Sequence, residues 1–401
     1  MTKKVLIAGA GIGGLCAALA LSKRGFNVEV FEQAATLSEV GAGIQLSPNA
    51  MHVLNELGLA QPLAACCFRP EKAVMRHYQS GAEYLSIDLG EQCTSRYGAE
   101  YLHIHRADLH HVLHQAVLKS GVIINLNKEV SAYQQNHQGV TLLLASGEQV
   151  RADVLIGAEG IRSNIQASMF GKHPADFTGQ VAWRGTVETH KLPRNLVKPN
   201  ANLWIGPGRH FVSYYLRGGS LVNFVAVEQR SDWRNESWHE QGDIKALRTA
   251  FSGWHAQVTE LLDAAEECFL WALFDRKPLE NWTDKNVALL GDACHPMLPF
   301  LAQGAAMAIE DAYALAANLV KHHDIPSALK AYQAIRLART SKIQHMARAN
   351  AKLYHMSNPV QRAKLHAIKV AGKVMPSVSA KPLESIYAYN IVKTLKPCHS
   401  G

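Results

Sequence analysis

The stretch KVLIAGAGIGGLCAALALS, Lys4 to Ser22, followed by VEVF at Val28 to Phe31 and then Glu32, decides the fold. Val5 to Ala8 form a short, uniformly apolar run, the pattern of a strand buried on both faces in a parallel sheet. Gly9, Gly11 and Gly14 follow at G-x-G-x-x-G spacing, with Gly13 beside them, and a helix is expected from Ile12 onward. In that setting the first glycine permits a tight turn, the second lets a pyrophosphate approach the backbone, and the third lets helix and strand pack closely. The helix N-terminus then offers unpaired N–H groups and a positive dipole end to phosphates. Glu32 ends the second strand, where a carboxylate accepts ribose hydroxyls and repels a 2′-phosphate. Strand, glycine turn, helix and strand complete a βαβ unit, so the N-terminal region is expected to bind a dinucleotide.

The rest of the chain bounds what surrounds this unit. Lys3 and Lys4 ahead of an apolar run imitate a secretory leader, but the second strand argues against one. The longest apolar candidate for a membrane span, Ala305 to Val320, is interrupted by Glu310 and Asp311, so no integral membrane segment is expected. Seven cysteines without a C-x-x-C pair suggest neither a disulfide framework nor a zinc ribbon, which fits a cytoplasmic location. With 401 residues, 48% hydrophobic and 18% charged, the chain is expected to be globular, with two or three domains. The net charge of +8 is localised: residues 331–401 carry 12 Lys and Arg against Glu384 alone, whereas the first 330 carry 29 basic and 32 acidic groups. A basic excess confined to the tail points to a solvated helical face or a subunit contact rather than to nucleic acid.

Two further strands end in acids. DVLIGAEG (153–160) leads into Ile161-Arg162-Ser163, and NVALLGD (286–292) leads through a proline-rich loop to Gln303, Gly304 and a long helix. Asp292, at the carboxyl end of its strand, would face the ligand crevice of an open α/β sheet and could hydrogen-bond a polyhydroxyl chain. FAD has such a chain in its ribitol and NAD does not. The helix opening near Gln303 to Ala305 would stabilise negative charge on a reduced flavin.

These segments, with GAGIQLSPNA (41–50), HIHRADLHHVL (103–113), GAEGIRS (157–163) and GDACHPMLPFLAQGAAMAIEDA (291–312), resemble the single-component aromatic hydroxylases. Those are FAD monooxygenases of the para-hydroxybenzoate hydroxylase type, and the likeness is nearest to enzymes acting on salicylate, 3-hydroxybenzoate and 6-hydroxynicotinate. The resemblance implies non-covalent FAD, with its adenosine half on Gly9, Gly11, Gly13, Gly14 and Glu32. Arg106 would contact the phosphate or ribityl region, Asp292 the ribityl chain, and Gln303, Gly304 and Ala305 the flavin ring. It also implies NADH or NADPH as a transient co-substrate, O2, and a flavin C4a-hydroperoxide attacking a small aromatic acid in aromatic catabolism. Glu159 stands where the family usually has Asp, so it is discounted as a flavin contact.

The implied fold is α/β: a Rossmann-like FAD-binding domain (1–72, 99–174 and 281–340) interleaved with a mostly antiparallel β-sheet substrate domain (73–98 and 175–280), plus C-terminal helices. The extension 341–401, broken at Pro359 and Pro376, is expected to pack across the FAD domain or against a second subunit of a homodimer. Alternating runs from Gln180 to Glu228 support the sheet.

His210 and Tyr214, four apart on one strand, share a face. That spacing suits an acid–base pair, and the order H-x-x-x-Y resembles the hydroxybenzoate and hydroxynicotinate enzymes, where these positions meet the substrate hydroxyl. The resemblance adds Gln45 and Pro299 to the substrate contacts. Arg184 and Arg76 are the basic residues that could meet a carboxylate. Phe300 replaces a histidine that salicylate hydroxylases tend to carry. No metal is expected, since His110 and His114 lack a third ligand. Three other functions stay open on the sequence: action on a non-aromatic or larger ring, NAD-dependent dehydrogenation, and flavin binding without turnover.

Overall fold

A computed structural model describes residues 2–37, 42–172, 174–230, 240–355 and 381–396. Gly41, Pro359 and Pro376 lie outside the described residues.

Strand Lys4–Ala8 runs at the centre of a six-stranded sheet, parallel to Asn27–Phe31 on one side and Val154–Gly157 on the other. Ile123–Asn125 and Val287–Leu289 extend it in parallel, and Thr283–Asp284 adds an antiparallel edge. Helix Ile12–Ser22 is buried almost throughout because it lies between this sheet and the helices Arg106–Lys119 and Gly304–Lys321. The segment 286–292 is extended only over Val287–Leu289. It then turns through Gly291, whose φ of 64° a side chain rarely adopts, so Asp292 sits on a turn rather than on the strand itself.

The second sheet has eight strands in the order Glu240–Gln241, Phe269–Asp275, Asp176–Glu188, Leu221–Gln229, Arg209–Leu216, Ala201–Gly206, Lys72–His77, Glu83–Asp88. Every pairing is antiparallel except Ala201–Gly206 with Lys72–His77. Period-2 alternation divides its residues between two cores. Trp183, Trp204, Phe211 and Phe224 point to one face and pack with Phe251 and Trp254 under the helices Ile244–Ala250 and Ala256–Asp263. These short helices, capped by Asp243 and His255, lie in the stretch after Glu228, which the alternating runs do not reach. The opposite face carries Arg184, His210, Val212 and Tyr214 toward the parallel sheet.

Helix Ile325–Tyr354 changes the account of the basic tail. It starts at Asp324, whose carboxylate accepts the Ser327 N–H at 2.8 Å, and it buries Arg336 completely. Arg336 and Arg339 meet Glu310 and Asp311 of the neighbouring helix, so part of the tail's charge neutralises buried acids instead of facing solvent. Among the described residues no helix is long and apolar enough to cross a membrane.

Candidate active site

The glycine turn has the shape a phosphate cradle needs. Gly9 has a φ of 98°, and a Cβ there would lie 2.6 Å from the Ala158 carbonyl oxygen. A Cβ on Gly14 would lie 2.0 Å from the Gly9 oxygen, and one on Gly13 2.7 Å from Leu290 Cδ2, so both permit close packing. At Gly11 a Cβ would meet nothing within 4 Å, which is the open side a pyrophosphate requires. Glu32 steadies the turn, accepting the N–H of Ala10 at 2.8 Å and of Ala34 at 2.9 Å. His110 Nε2 lies 2.7 Å from the Ala10 carbonyl, so this buried histidine holds the loop from below.

This geometry separates two substitutions. Gly11→Ala fits an extended backbone, with φ −69° and ψ −178°, and meets no protein atom. It is expected to melt like the parent when apo, yet to bind FAD at least about tenfold more weakly, equivalent to about 1.4 kcal/mol. Gly14→Ala, whose Cβ collides with backbone, is expected to lose the loop altogether. Thermal melting and flavin fluorescence titration of both variants check this.

Beyond the glycine turn opens a cavity of about 470 Å³ that runs between the two sheets. Gly11, Gly13, Arg106, Asp292, Gly304 and Ala305 line its nucleotide end. Asp292 is exposed to this cavity, and the protein around it raises its carboxyl pKa by desolvation, with His295 and Arg106 opposing. Ala302, in the left-handed region at φ 52°, delivers the chain to helix Gly304–Lys321, whose N-terminus faces the cavity through Gly304 and Ala305.

The Gln303 side chain turns inward: it donates to Ser47 Oγ at 2.9 Å and accepts from Asn49 at 3.1 Å, leaving only its backbone for a flavin. Glu159 also points away. It accepts from Ser163 Oγ at 2.5 Å and from the Asn164 N–H at 3.1 Å, and burial pushes its carboxyl up to about 7.

Behind the Asp292 turn, His295 Nε2 lies 2.5 Å from Asp311 Oδ2, outside the cavity. Cys294, His295 and Asp311 place three donor atoms within 4.8 Å. Asp311, however, is already held by Arg336 at 2.7 Å and by the Gly291 N–H at 3.2 Å, and the Cys294 thiol faces the Gly291 carbonyl at 3.3 Å. The cluster supports the turn that presents Asp292.

At the other end of the cavity, apolar walls surround a few polar groups. His210, Val212 and Tyr214 face it from alternate positions of one strand, and Gln45, Pro299 and Arg184 line it as well. His210 and Tyr214 stand about 13 Å apart along the strand, so they bracket the space rather than pair with each other. His210 contacts Phe300 edge-on at 5.4 Å between centroids, and its Nδ1 lies 2.8 Å from His355 Nε2. Burial and His355 hold the His210 pKa well below its usual value, so the ring is neutral near pH 7. Tyr214 packs on His103 at 4.5 Å between centroids, and burial raises its phenol. Tyr101 donates to Gln45 Oε1 at 2.6 Å.

Arg184 is enclosed without a carboxylate partner among the described residues. Its guanidinium lies 4.0 Å from the Trp271 ring centroid, its Nε has no hydrogen-bond partner, and burial lowers its pKa to about 10. Cross-strand register through Val225 places it level with Val212, between His210 and Tyr214. Arg76 is spent elsewhere, on Glu83 at 2.9 Å.

Three wall residues, Asn350, Tyr354 and Tyr387, come from C-terminal helices that the sequence assigned to packing alone. No local motif marks them, since what brings them to the cavity is helix packing. The aromatics of this sheet also sort by face: Tyr214 lines the cavity, Trp271 lies beside Arg184, and Trp183 and Trp204 belong to the opposite core.

Comparison with known proteins gives this arrangement its setting. The family model described as FAD binding domain matches residues 2–347. The chain is 37% identical to 3-amino-4-hydroxybenzoate 2-monooxygenase PtmB3 of Streptomyces platensis over 374 residues, covering 92% of this chain and 93% of that protein. It is 36% identical to 3-hydroxybenzoate 6-hydroxylase 1 of Aquipseudomonas alcaligenes, covering 88% and 90%. Among solved structures, HpxO of Klebsiella pneumoniae complexed with FAD and uric acid superposes with a TM-score of 0.84 at 25% identity, covering 97% of each chain.

Proposed function

Because this chain belongs to the FAD-binding domain family, as an FAD-dependent monooxygenase, we propose that it hydroxylates a small phenolic acid, with NADH or NADPH as reductant. The observation that carries the substrate class is Arg184: an enclosed guanidinium without a carboxylate partner among the described residues, opening onto a cavity that also holds a neutral histidine. A buried cation without a counter-ion is costly, and a substrate carboxylate removes that cost.

When bound, FAD would pass electrons from NADH or NADPH to O2 and so supply the electrophilic oxygen. The residues of the chain bind, orient and ionise the ring. Arg184 pairs with the carboxylate, and Tyr214 and the Gln45–Tyr101 pair fix the polar edge. The apolar wall that includes Met75, Val212 and Leu298 excludes water. His210 accepts the proton of the ring hydroxyl, which raises electron density on the carbons to be attacked. Phe300 against His210 keeps that end apolar, so the carboxylate belongs away from it, on Arg184.

The test is NADH and NADPH oxidation by FAD-loaded protein, with product analysis, across salicylate, 3- and 4-hydroxybenzoate and 6-hydroxynicotinate. Stimulated oxidation with a hydroxylated product is expected. Arg184→Gln is expected to raise KM for the active acid by roughly thirtyfold or more, the lower end for truncating a buried charge pair. The corresponding phenol without a carboxylate should be affected far less. Equal effects on acid and phenol would remove Arg184 from carboxylate recognition.

A further inference from the structure

Behind His210, away from the cavity, stand two buried polar side chains that the reaction outlined above does not use. His210 Nδ1 lies 2.8 Å from His355 Nε2, and His355 Nδ1 lies 3.0 Å from Gln180 Nε2. All three residues are buried, at 3%, 5% and 7% exposure. They come from three separate elements: strand Arg209–Leu216, the C-terminal cap of helix Ile325–Tyr354, and strand Asp176–Glu188. The second atom of the amide, Gln180 Oε1, has no partner among the described residues, so His355 alone gives the amide a reason to face one way or the other.

A hydrogen-bonded chain of two neutral imidazoles has only two arrangements, and the amide at its end selects between them. With Gln180 Nε2 donating to His355 Nδ1, His355 carries its hydrogen on Nε2 and donates to His210 Nδ1. His210 then presents an N–H at Nε2 and cannot act as a base there. With the amide rotated so that Oε1 accepts from His355 Nδ1–H, His355 Nε2 accepts from His210 Nδ1–H. His210 Nε2 is then a bare lone pair.

We propose that Gln180 and His355 are positioning residues that hold His210 in this second arrangement, making the two histidines a single relayed base. The proposal rests on the reading of His210 as the group that takes the ring proton. The ring O–H bond breaks as its proton binds His210 Nε2. The Nδ1 hydrogen of His210 passes to His355 Nε2, and its bonding pair stays on His210. The ring is left as phenolate, and His355 becomes an imidazolium whose Nδ1–H remains on Gln180 Oε1. The positive charge thus comes to rest one imidazole farther from the reacting ring. The groups facing His210 are His355 and Tyr354 from the helix and Phe300 from the loop, while its strand partners Ile205 and Val227 are uncharged.

Nitrogen-15 histidine spectra of the FAD-loaded protein at neutral pH read the arrangement directly. His210 and His355 are expected to carry hydrogen on Nδ1 in the parent. Gln180→Glu, which keeps an acceptor, should preserve that state, and Gln180→Leu should shift hydrogen onto His210 Nε2. Hydrogen on His210 Nε2 in the parent, or an unchanged tautomer in Gln180→Leu, overturns the proposal. In turnover, His355→Leu and Gln180→Leu are expected to lower kcat about tenfold with KM and FAD content held, and Gln180→Glu to retain the parent rate. If His210→Gln leaves turnover intact while the tautomers behave as stated, it is the reading of His210 as the base that fails.

Discussion

Arg336→Leu is expected to be the most damaging single substitution away from the cavity. Arg336 is fully buried and donates to Asp311 at 2.7 Å and to Glu310 at 2.5 Å. Glu310 also accepts from Arg339 at 2.8 Å and from Asn49 at 2.7 Å, and Asp311 anchors both the Gly291 N–H and His295. Removing the central cation leaves two buried carboxylates under-compensated, which costs about 3–5 kcal/mol. The same change frees the turn that carries Asp292, so FAD retention should fall along with the melting temperature. Arg336→Lys, which keeps the charge but not the planar fork, should lie between.

The pH dependence follows from the sign of the shifts. Against the opposing effect of burial, Arg336 and Arg339 hold the Glu310 pKa, and His295 and Arg336 the Asp311 pKa, below the ordinary 4.5 and 3.8. Their contribution is therefore full above those ordinary values and is lost as pH falls through the depressed ones. Denaturant melts with flavin release, run from pH 7 down to pH 3, measure both effects. A parent-like stability for Arg336→Leu at pH 7 would show that the network does not hold the fold.

The second large effect is expected at His210. His210→Gln should keep FAD and bind the aromatic acid, yet lower the hydroxylation rate by about 10²- to 10⁴-fold, the range for losing a positioned base. Tyr214→Phe removes one hydroxyl at the far end of the cavity and should raise KM more than it lowers kcat. Stopped-flow measurement of flavin reduction and product formation separates the two. A fully coupled His210→Gln enzyme would remove this histidine from the chemistry.

Because burial depresses the His210 pKa, protonation of this ring should limit the rate only well below pH 6.5. The same depression, shared by His355 at about 4 and His103 at about 3, means that the fold loses stability as pH drops below 6.5. The unfolded chain takes up those protons first.

The nucleotide half was legible in the sequence because its determinants are local. Gly9, Gly11 and Gly14 act through backbone geometry within six residues of one another, and the strand before them and helix after them are neighbours in the chain. Alternation likewise gave the strands from Asp176 to Gln229 and put His210 and Tyr214 on one face. Period-2 reasoning, however, says nothing of what lies opposite a face, so it suggested a His210–Tyr214 pair where the structure gives His210 a different partner, His355. Arg184 could be named as a possible anion partner, but its lack of a counter-ion among the described residues depends on every element around it.

What the sequence determined by itself was therefore the βαβ unit, its glycine turn, and the faces of the strands, since each depends on backbone sterics and periodicity over a few residues. What only the tertiary structure decided was which distant groups meet. It turned two arginines of a basic tail into the counter-ions of Glu310 and Asp311, and it brought His355, 145 residues from His210, within hydrogen-bonding distance. Such pairings come from helix and sheet packing that satisfies buried charge and polar groups across the whole chain. No local pattern encodes that requirement.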